Sequence, residues 1–425
     1  MKKNTPITLT FFFLLLLAVP ISWIMKLGSP PEESVVEART LVALEPASNP
    51  NLGRAMSFLK EGNYREAAKI LIDLYTSASF VRKFEQATSD QFPFRMPIIK
   101  FSKALDRLII KSTYGLTNDP VFPVDLTSDI YYDSKNNQLI FSPNLFDEAT
   151  RKRIDNRIRN YESVIQAHPE QNFYLYYHQT LESSEHHPVN PSFAKADDSQ
   201  AIKYFETHLP EGIIFKKFML NSMEDHLSYY YRTDHHWNVN GILHAYEDIH
   251  NMLSTNYTDI PPMLELGEII KFPDIEFLGL MARLTFYPID GDDFAVEVVD
   301  FPPFEMKINN QVIEGDLRQR YFQGNYATAP YTNHYNEFYG FVTSFTEYTF
   351  NNQSDKNLLL IGSSYRYALD PLISSHYHKT YCVDFRYSTE FSLSAFLAEY
   401  DVDDILIIGD NDVAFEDVEY WKINP

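Results

Sequence analysis

The chain has 425 residues, 44% of them hydrophobic and 22% charged, a globular composition with room for one large domain or two smaller ones. Lys plus Arg is 36 against 58 Asp plus Glu, a formal charge of −22, so no counterion-releasing basic face is on offer and nucleic acid is excluded as a partner. The one cysteine, Cys382, rules out an intramolecular disulfide and a zinc site of thiolates, and within Thr380-Tyr381-Cys382-Val383-Asp384 it reads as a core thiol.

Lys2 and Lys3 precede an uncharged run from Ile7 to Met25, 19 residues. As a helix this run spans about 28 Å, close to the roughly 30 Å of a bilayer core. A cleaved signal peptide carries a shorter apolar segment and small residues at the cut. Here Ile21-Ser22-Trp23-Ile24-Met25-Lys26 follows instead, which favours a single-pass anchor over 1–26, with everything after Lys26 outside the cytoplasm. Residues 27–50, with Pro30, Pro31, Glu32, Glu33 and Pro46, read as a linker. Residues 51–110 read as a small helical appendage. Two short helices flank Glu61-Gly62-Asn63-Tyr64, like a single tetratricopeptide-type hairpin, and Ile98, Phe101, Leu105 and Leu108 mark a further apolar-periodic helix.

Residues 111–425 read as one α/β domain. Short strands and turns occupy 118–146, a highly charged helix 148–167, and Asn172 to Tyr177 is a strand. The polar stretch from Glu182 to Ser199 reads as a loop that exposes His186 and His187. Further on, Ile242, Tyr246, Ile249 and Leu253 recur as one buried helical face, with Asn238 or Asn240 to cap its start. A β-rich, aromatic insertion follows at about 277–348, with Asp290-Gly291-Asp292-Asp293 as a turn. Asn357 to Ile361, Thr380 to Asp384 and Asp404 to Gly409 are compact apolar strands, and Leu393, Phe396, Leu397 and Tyr400 mark a helix between the last two. Strands alternating with helices imply βαβ units and a parallel sheet, whose sites lie at the carboxyl ends of the strands. Ser364 falls at that edge.

Asp234, His235, His236 and Trp237 occupy consecutive positions in the loop entering the capped helix, and Ile361-Gly362-Ser363-Ser364-Tyr365 ends the apolar strand. A serine hydroxyl becomes a nucleophile when a neighbouring base takes its proton. Histidine suits that task near neutral pH, and a carboxylate fixes its tautomer. Gly362 removes a Cβ where the chain must turn, and the next backbone N–H groups can hold an oxyanion. Each piece also has a plainer reading. A serine after a strand is commonly a turn residue, and Trp237 a packing residue. The histidines could lie on the surface or bind a metal with His226 or His244, although no H-E-x-x-H set is present. Ser363 and His235 stand beside Ser364 and His236 as rivals for the same roles.

The string Tyr-Tyr-Arg-Thr-Asp-His-His-Trp-Asn resembles the defining motif of the bacterial DHHW family, which is similar to the SGNH-like O-acetyltransferases of alginate modification. Those proteins carry Asp-x-His-Trp and, much later, Gly-x-Ser-Tyr; here these are Asp234, His236 and Trp237, then Gly362, Ser364 and Tyr365. Asp90, Phe92, Pro93 and Arg95 resemble a segment upstream of the site. The resemblance implies an SGNH-hydrolase-like (flavodoxin-like) parallel sheet flanked by helices, with Ser364 as nucleophile, His236 as base and Asp234 as its orienting partner. No metal and no cofactor are expected. A cell-surface or exported polysaccharide would be the substrate, and a multispanning membrane O-acyltransferase the acetyl supplier. Position 363 is serine where Asp or Thr is usual, and the Gly and Asn oxyanion blocks of SGNH enzymes have no clear match. Gly279 is a candidate for the missing donor, with a structural turn as its alternative, and Tyr365 and Trp237 are candidates for substrate contact. The residues alone permit an esterase as well as a transferase, and a non-catalytic glycan-binding envelope protein is the remaining class.

Overall fold

The computed structural model describes residues 33–34, 39–41, 50–76, 86–87, 89–92, 94–115, 119–144, 146–189, 199–313, 318–340, 343–388, 391–415 and 423. The expected anchor at Ile7–Met25 lies outside them, and among the described residues no helix is long and apolar enough to cross a membrane. The chain divides into two compact units, 1–109 and 110–425. In the first, helices Pro50–Lys60 and Tyr64–Thr76 pack together with Ala55 and Ala67 fully buried. The turn between them passes through Gly62 at φ +76°, a left-handed conformation that glycine adopts without strain. Helix Arg95–Tyr114 forms where its periodicity predicts, yet Ile98, Phe101 and Leu105 on it are exposed.

The second unit is built on an eight-stranded sheet. Its strands are β1 (Asn172–His178), β2 (Ile213–Phe218), β3 (Phe304–Ile308), β4 (Gln311–Ile313), β5 (Phe345–Phe350), β6 (Asn357–Gly362), β7 (Lys379–Val383) and β8 (Asp404–Gly409), in the spatial order β4-β3-β5-β7-β6-β8-β1-β2. The five strands from β7 to β2 are mutually parallel. The central strands β6 and β8 are apolar through Leu358–Ile361 and Ile405–Ile408 because both faces are covered, whereas the edge strand β2 carries Lys216 and Lys217. Along β6, Leu358 and Leu360 point into one core while Leu359 and Ile361 point into the other. Helix α1 (Glu148–Ala167), through Ile154, Tyr161 and Val164, and helix Ser199–His208 close the second of these cores. Helix α2 (Val239–Leu253) closes the first with the predicted Ile242, Tyr246, Ile249 and Leu253, all fully buried.

The sheet is not parallel throughout. β3, β4 and β5 add an antiparallel wing. Its tight link is Asn309-Asn310, with φ of +48° and +65°, the two-residue hairpin geometry that asparagine tolerates. The aromatic stretch at 277–348 thus contributes to the main sheet, and upstream of the wing Leu266–Phe277 pairs with Asp292–Val299 in a separate antiparallel hairpin.

Candidate active site

β6 lies between parallel neighbours β7 and β8, so the chain leaves the sheet near its middle at the carboxyl edge. A Cβ on Gly362 would stand 2.6 Å from the Ile408 carbonyl oxygen, too close for any side chain, so glycine is required there. Ser363 then heads a 3₁₀ turn, Ser364–Ala368, in which Ser364 is only 7% exposed.

The facing loop is pinned as a small hairpin. Tyr230 and Trp237 form an antiparallel bridge, the Tyr231 N–H donates to the His236 carbonyl at 3.2 Å, and the Asn238 N–H donates to that of Tyr229 at 2.8 Å. Asn238, not Asn240, caps α2, its side chain accepting from the amides of Asn240 and Gly241. A second carboxylate braces the same loop. Asp292 accepts from the Arg232 and Thr233 amides at 3.0 and 2.9 Å, from the Thr233 hydroxyl at 2.7 Å and from the Arg232 guanidinium at 3.2 Å.

These two elements meet. Ser364 Oγ lies 2.8 Å from His236 Nε2, and His236 Nδ1 lies 2.5 Å from Asp234 Oδ1. The same carboxylate accepts from the His236 amide at 3.0 Å, and its other oxygen accepts from the Leu280 amide at 2.5 Å, at the start of helix α3 (Leu280–Thr285). Burial alone would raise the Asp234 carboxyl, but the charges of His236 and His235 and the hydrogen bonds from His236 hold it well below the usual range. An ionised Asp234 requires the proton on His236 Nδ1, which leaves Nε2 free to accept from the Ser364 hydroxyl.

The remaining sequence candidates have distinct places. His235 packs against His236 at 3.9 Å, the rings tilted by 39°, without the bond to serine, and burial followed by the charge of His236 pulls its imidazole down to about 3. Ser363 makes no side-chain cap bond, and the histidine contact belongs to Ser364. Tyr365 donates to the His235 carbonyl at 2.9 Å, and the fully buried Trp237 donates to the Tyr335 hydroxyl at 3.1 Å. Gly279 does not face the serine. Its amide is spent on Thr233 Oγ1 at 3.0 Å, and a Cβ there would lie 2.2 Å from the Asp234 Cβ, so it backs the carboxylate. Asp90, Phe92 and Arg95 belong to the first unit, and Pro93 lies outside the described residues. His187, expected in solvent, is half-buried with Nε2 on the Phe141 carbonyl, and burial pulls it to about 4.

Three further residues shape the site without having been singled out from sequence. The Tyr335 ring, on helix α4 (His334–Tyr339), stacks on His236 at 4.0 Å and 16°. Asp292 was legible only as a turn residue. His178 ends β1 and contacts both Trp237 and Tyr365, at 4.6 and 4.1 Å. Its place at the carboxyl edge was the available signal. Asp234, His235 and His236 also bring three ligand atoms within 4.8 Å of one another.

No family model matches the sequence, and no curated relative does. The fold is similar to two structures of Bacillus cereus PatB1. The one with a sulfonyl adduct matches with a TM-score of 0.55 at 15% identity, over 69% of this chain and 97% of that one. The other matches with a TM-score of 0.55 at 18% identity, over 71% and 99%. A DHHW family protein from Eubacterium siraeum matches with a TM-score of 0.51 at 16% identity, over 72% and 97%. The resemblance that the motif implied is therefore present in the fold.

Proposed function

We propose that this chain is a serine-dependent acyl-ester enzyme, an O-acetyltransferase acting on a cell-surface or exported polysaccharide. The observation that carries the reading is the continuous chain Ser364 Oγ, His236 Nε2, His236 Nδ1, Asp234 Oδ1, with contacts of 2.8 and 2.5 Å. In the first step Ser364 Oγ attacks the acetyl carbonyl carbon while its proton passes to His236 Nε2, and Asp234 stabilises the imidazolium. The donor C–O bond then breaks, its oxygen takes that proton, and acetyl-Ser364 remains. A sugar hydroxyl gives its proton to His236 and attacks the acetyl-serine, restoring the serine. The amides of Ser364 and Tyr365 precede the first bond of the 3₁₀ turn, Arg366 N–H to Ser363 O, and serve as the oxyanion donors, each of a kind worth about 2.7–4 kcal/mol. Burial of both Ser364 and His236 favours a bound hydroxyl over bulk water as the second attacker, which supports transfer over hydrolysis.

The reading carries the membrane anchor at 1–26, the linker at 27–50 and the helical appendage at 51–110, with the catalytic domain outside the cytoplasm and a multispanning membrane O-acyltransferase delivering acetyl groups. PatB1 has been solved with a sulfonyl adduct, and a sulfonyl fluoride should label Ser364 here. The decisive test is incubation with p-nitrophenyl acetate followed by intact mass and peptide mapping. One acetyl group on Ser364, absent from Ser364→Ala and passed to an added glycan, is expected. Release as free acetate only would make it an esterase. Unchanged acetylation of Ser364→Ala would sink the triad and leave a glycan-binding protein.

A further inference from the structure

Arg283 has no counterpart in the mechanism. It is 3% exposed, its Nε and Nη1 are buried without an acceptor, and it forms no ion pair among the described residues. A buried cation without a partner costs several kcal/mol, and buried polar groups are almost always satisfied. Its direction follows from the helix that carries it. Gly279, which heads α3, turns its face to Asp234, and Arg283 lies four residues on, its amide donating to the Gly279 carbonyl at 3.0 Å. Residues i and i+4 share a helix face, and helical side chains lean toward the N-terminus. Arg283 therefore reaches back over Gly279 toward Asp234 and His235. Consistent with this, its charge helps lower the His235 imidazole, and Asp234 acts to raise the guanidinium against the lowering effect of burial. Asp234 makes no hydrogen bond to Arg283 Nε or Nη1, and its own bonds go to His236 and Leu280. The other guanidinium that His235 feels, Arg386, is paired with Asp384 at 2.6 Å. In a chain of net charge −22, Arg283 is thus a buried cation with no hydrogen-bonded acceptor on Nε or Nη1.

We propose that Arg283 anchors an oxyanion subsite beside Asp234 and His235, taking a carboxylate or phosphate carried by the acceptor chain. The guanidinium fork presents paired N–H donors that match either group. Only the identity of the bearer as acceptor rests on the acyl-transfer reading; binding requires no turnover. The full chain carrying Ser364→Ala is titrated by calorimetry with an oligogalacturonate, a glycerol-phosphate oligomer and a neutral cello-oligosaccharide of equal length. At least one charged oligomer should bind about tenfold or more tightly than the neutral one, with the tighter of the two naming the carboxylate or the phosphate. Adding Arg283→Gln should weaken that binding by about 10- to 100-fold, the range for losing a hydrogen bond to a charged group, and Arg283→Lys should recover part of it. Equal affinity for charged and neutral oligomers overturns the subsite even if the glutamine variant does not fold. So does charged-oligomer binding that a folded Arg283→Gln leaves unchanged. Anion binding without acetylation of wild-type Ser364 would sink the acyl-transfer reading alone, and acetylation without anion binding would sink the subsite alone.

Discussion

Gly279→Ala tests the site through a residue that takes no part in the chemistry. Gly279 has φ −71° and ψ −166°, which alanine adopts freely, so the backbone itself does not require glycine. The obstacle is steric. An added Cβ would lie 2.2 Å from Asp234 Cβ, 2.4 Å from Oδ2 and 2.7 Å from Cγ. To reach the ordinary contact distance of 3.4 Å, either Asp234 or the start of α3 must move by about 1.2 Å. Moving α3 breaks the Leu280 bond to the carboxylate, and moving Asp234 breaks the 2.5 Å contact with His236 Nδ1. A misplacement of about 1 Å costs on the order of 10²-fold in rate, and losing control of the imidazole tautomer costs up to about 10⁴-fold. Turnover of p-nitrophenyl acetate, read alongside circular dichroism and thermal unfolding, should show kcat/KM falling by about 10²-fold or more while the fold is retained. A folded Gly279→Ala with kcat/KM within about threefold of wild type would refute both the close packing and the orienting role of Asp234.

Exchanging the paired histidines should separate them. His236→Gln should abolish acetyl-serine formation, whereas His235→Gln, which lacks the contact with Ser364, should keep turnover within about tenfold of wild type. Glu297 is buried with Oε2 unpartnered, and burial pushes its carboxyl up to about 7 from an ordinary 4.5. Because the folded state holds this proton more tightly, the associated stability is present below pH 4.5 and lost as pH rises through 7. Glu297→Gln should therefore be more stable than wild type at pH 8, by up to roughly 3 kcal/mol, with the difference vanishing near pH 4; Tm measured at both pH values checks the sign. Leu359→Ala, in the middle of β6, should cost about 2–5 kcal/mol in urea unfolding, and a loss below about 1 kcal/mol would contradict its full burial.

The sequence disclosed those parts of the molecule where one residue type answers one physical demand. The meeting of Asp234, His236 and Ser364 was legible because a carboxylate, an imidazole and a hydroxyl are complementary hydrogen-bonding partners. The core strands were legible because strands covered on both faces carry unbroken apolar runs. Gly362 was legible because a sharp turn at a strand end tolerates no Cβ. The rest depends on tertiary neighbours. Tyr335 is one tyrosine among 29, and nothing local marks the one that stacks on His236. Asp292 sits in an Asp-Gly-Asp-Asp run that any turn would favour, and only the packed loop reveals it as a brace. The antiparallel wing is the same kind of case. A parallel partner for β7 and an antiparallel one look alike in an alternating strand, although Asn309-Asn310 was a hairpin signal.

The two carboxylates on the His236 loop explain how a short segment can be both rigid and reactive. Burial pushes Asp292 up, while the imidazoles overcome burial and pull Asp234 down. Asp292 is contacted by a hydroxyl, two backbone amides and Arg232, so it fixes the loop without contacting His236 or Ser364. Asp234 is contacted by the imidazole and by two amides of its own, so its charge is directed at His236. Thr233 lies between them and binds both sides, its hydroxyl meeting Asp292 and receiving the Gly279 amide that backs Asp234. Each such bond to a carboxylate contributes about 1.5–3 kcal/mol, less than a whole-domain stability of about 5–15 kcal/mol. Removing one should therefore misalign His236 well before it unfolds the chain. The division of labour lies in the remaining partner: beside its two backbone amides Asp234 holds the His236 imidazole, whereas Asp292 holds the Thr233 hydroxyl and the Arg232 guanidinium.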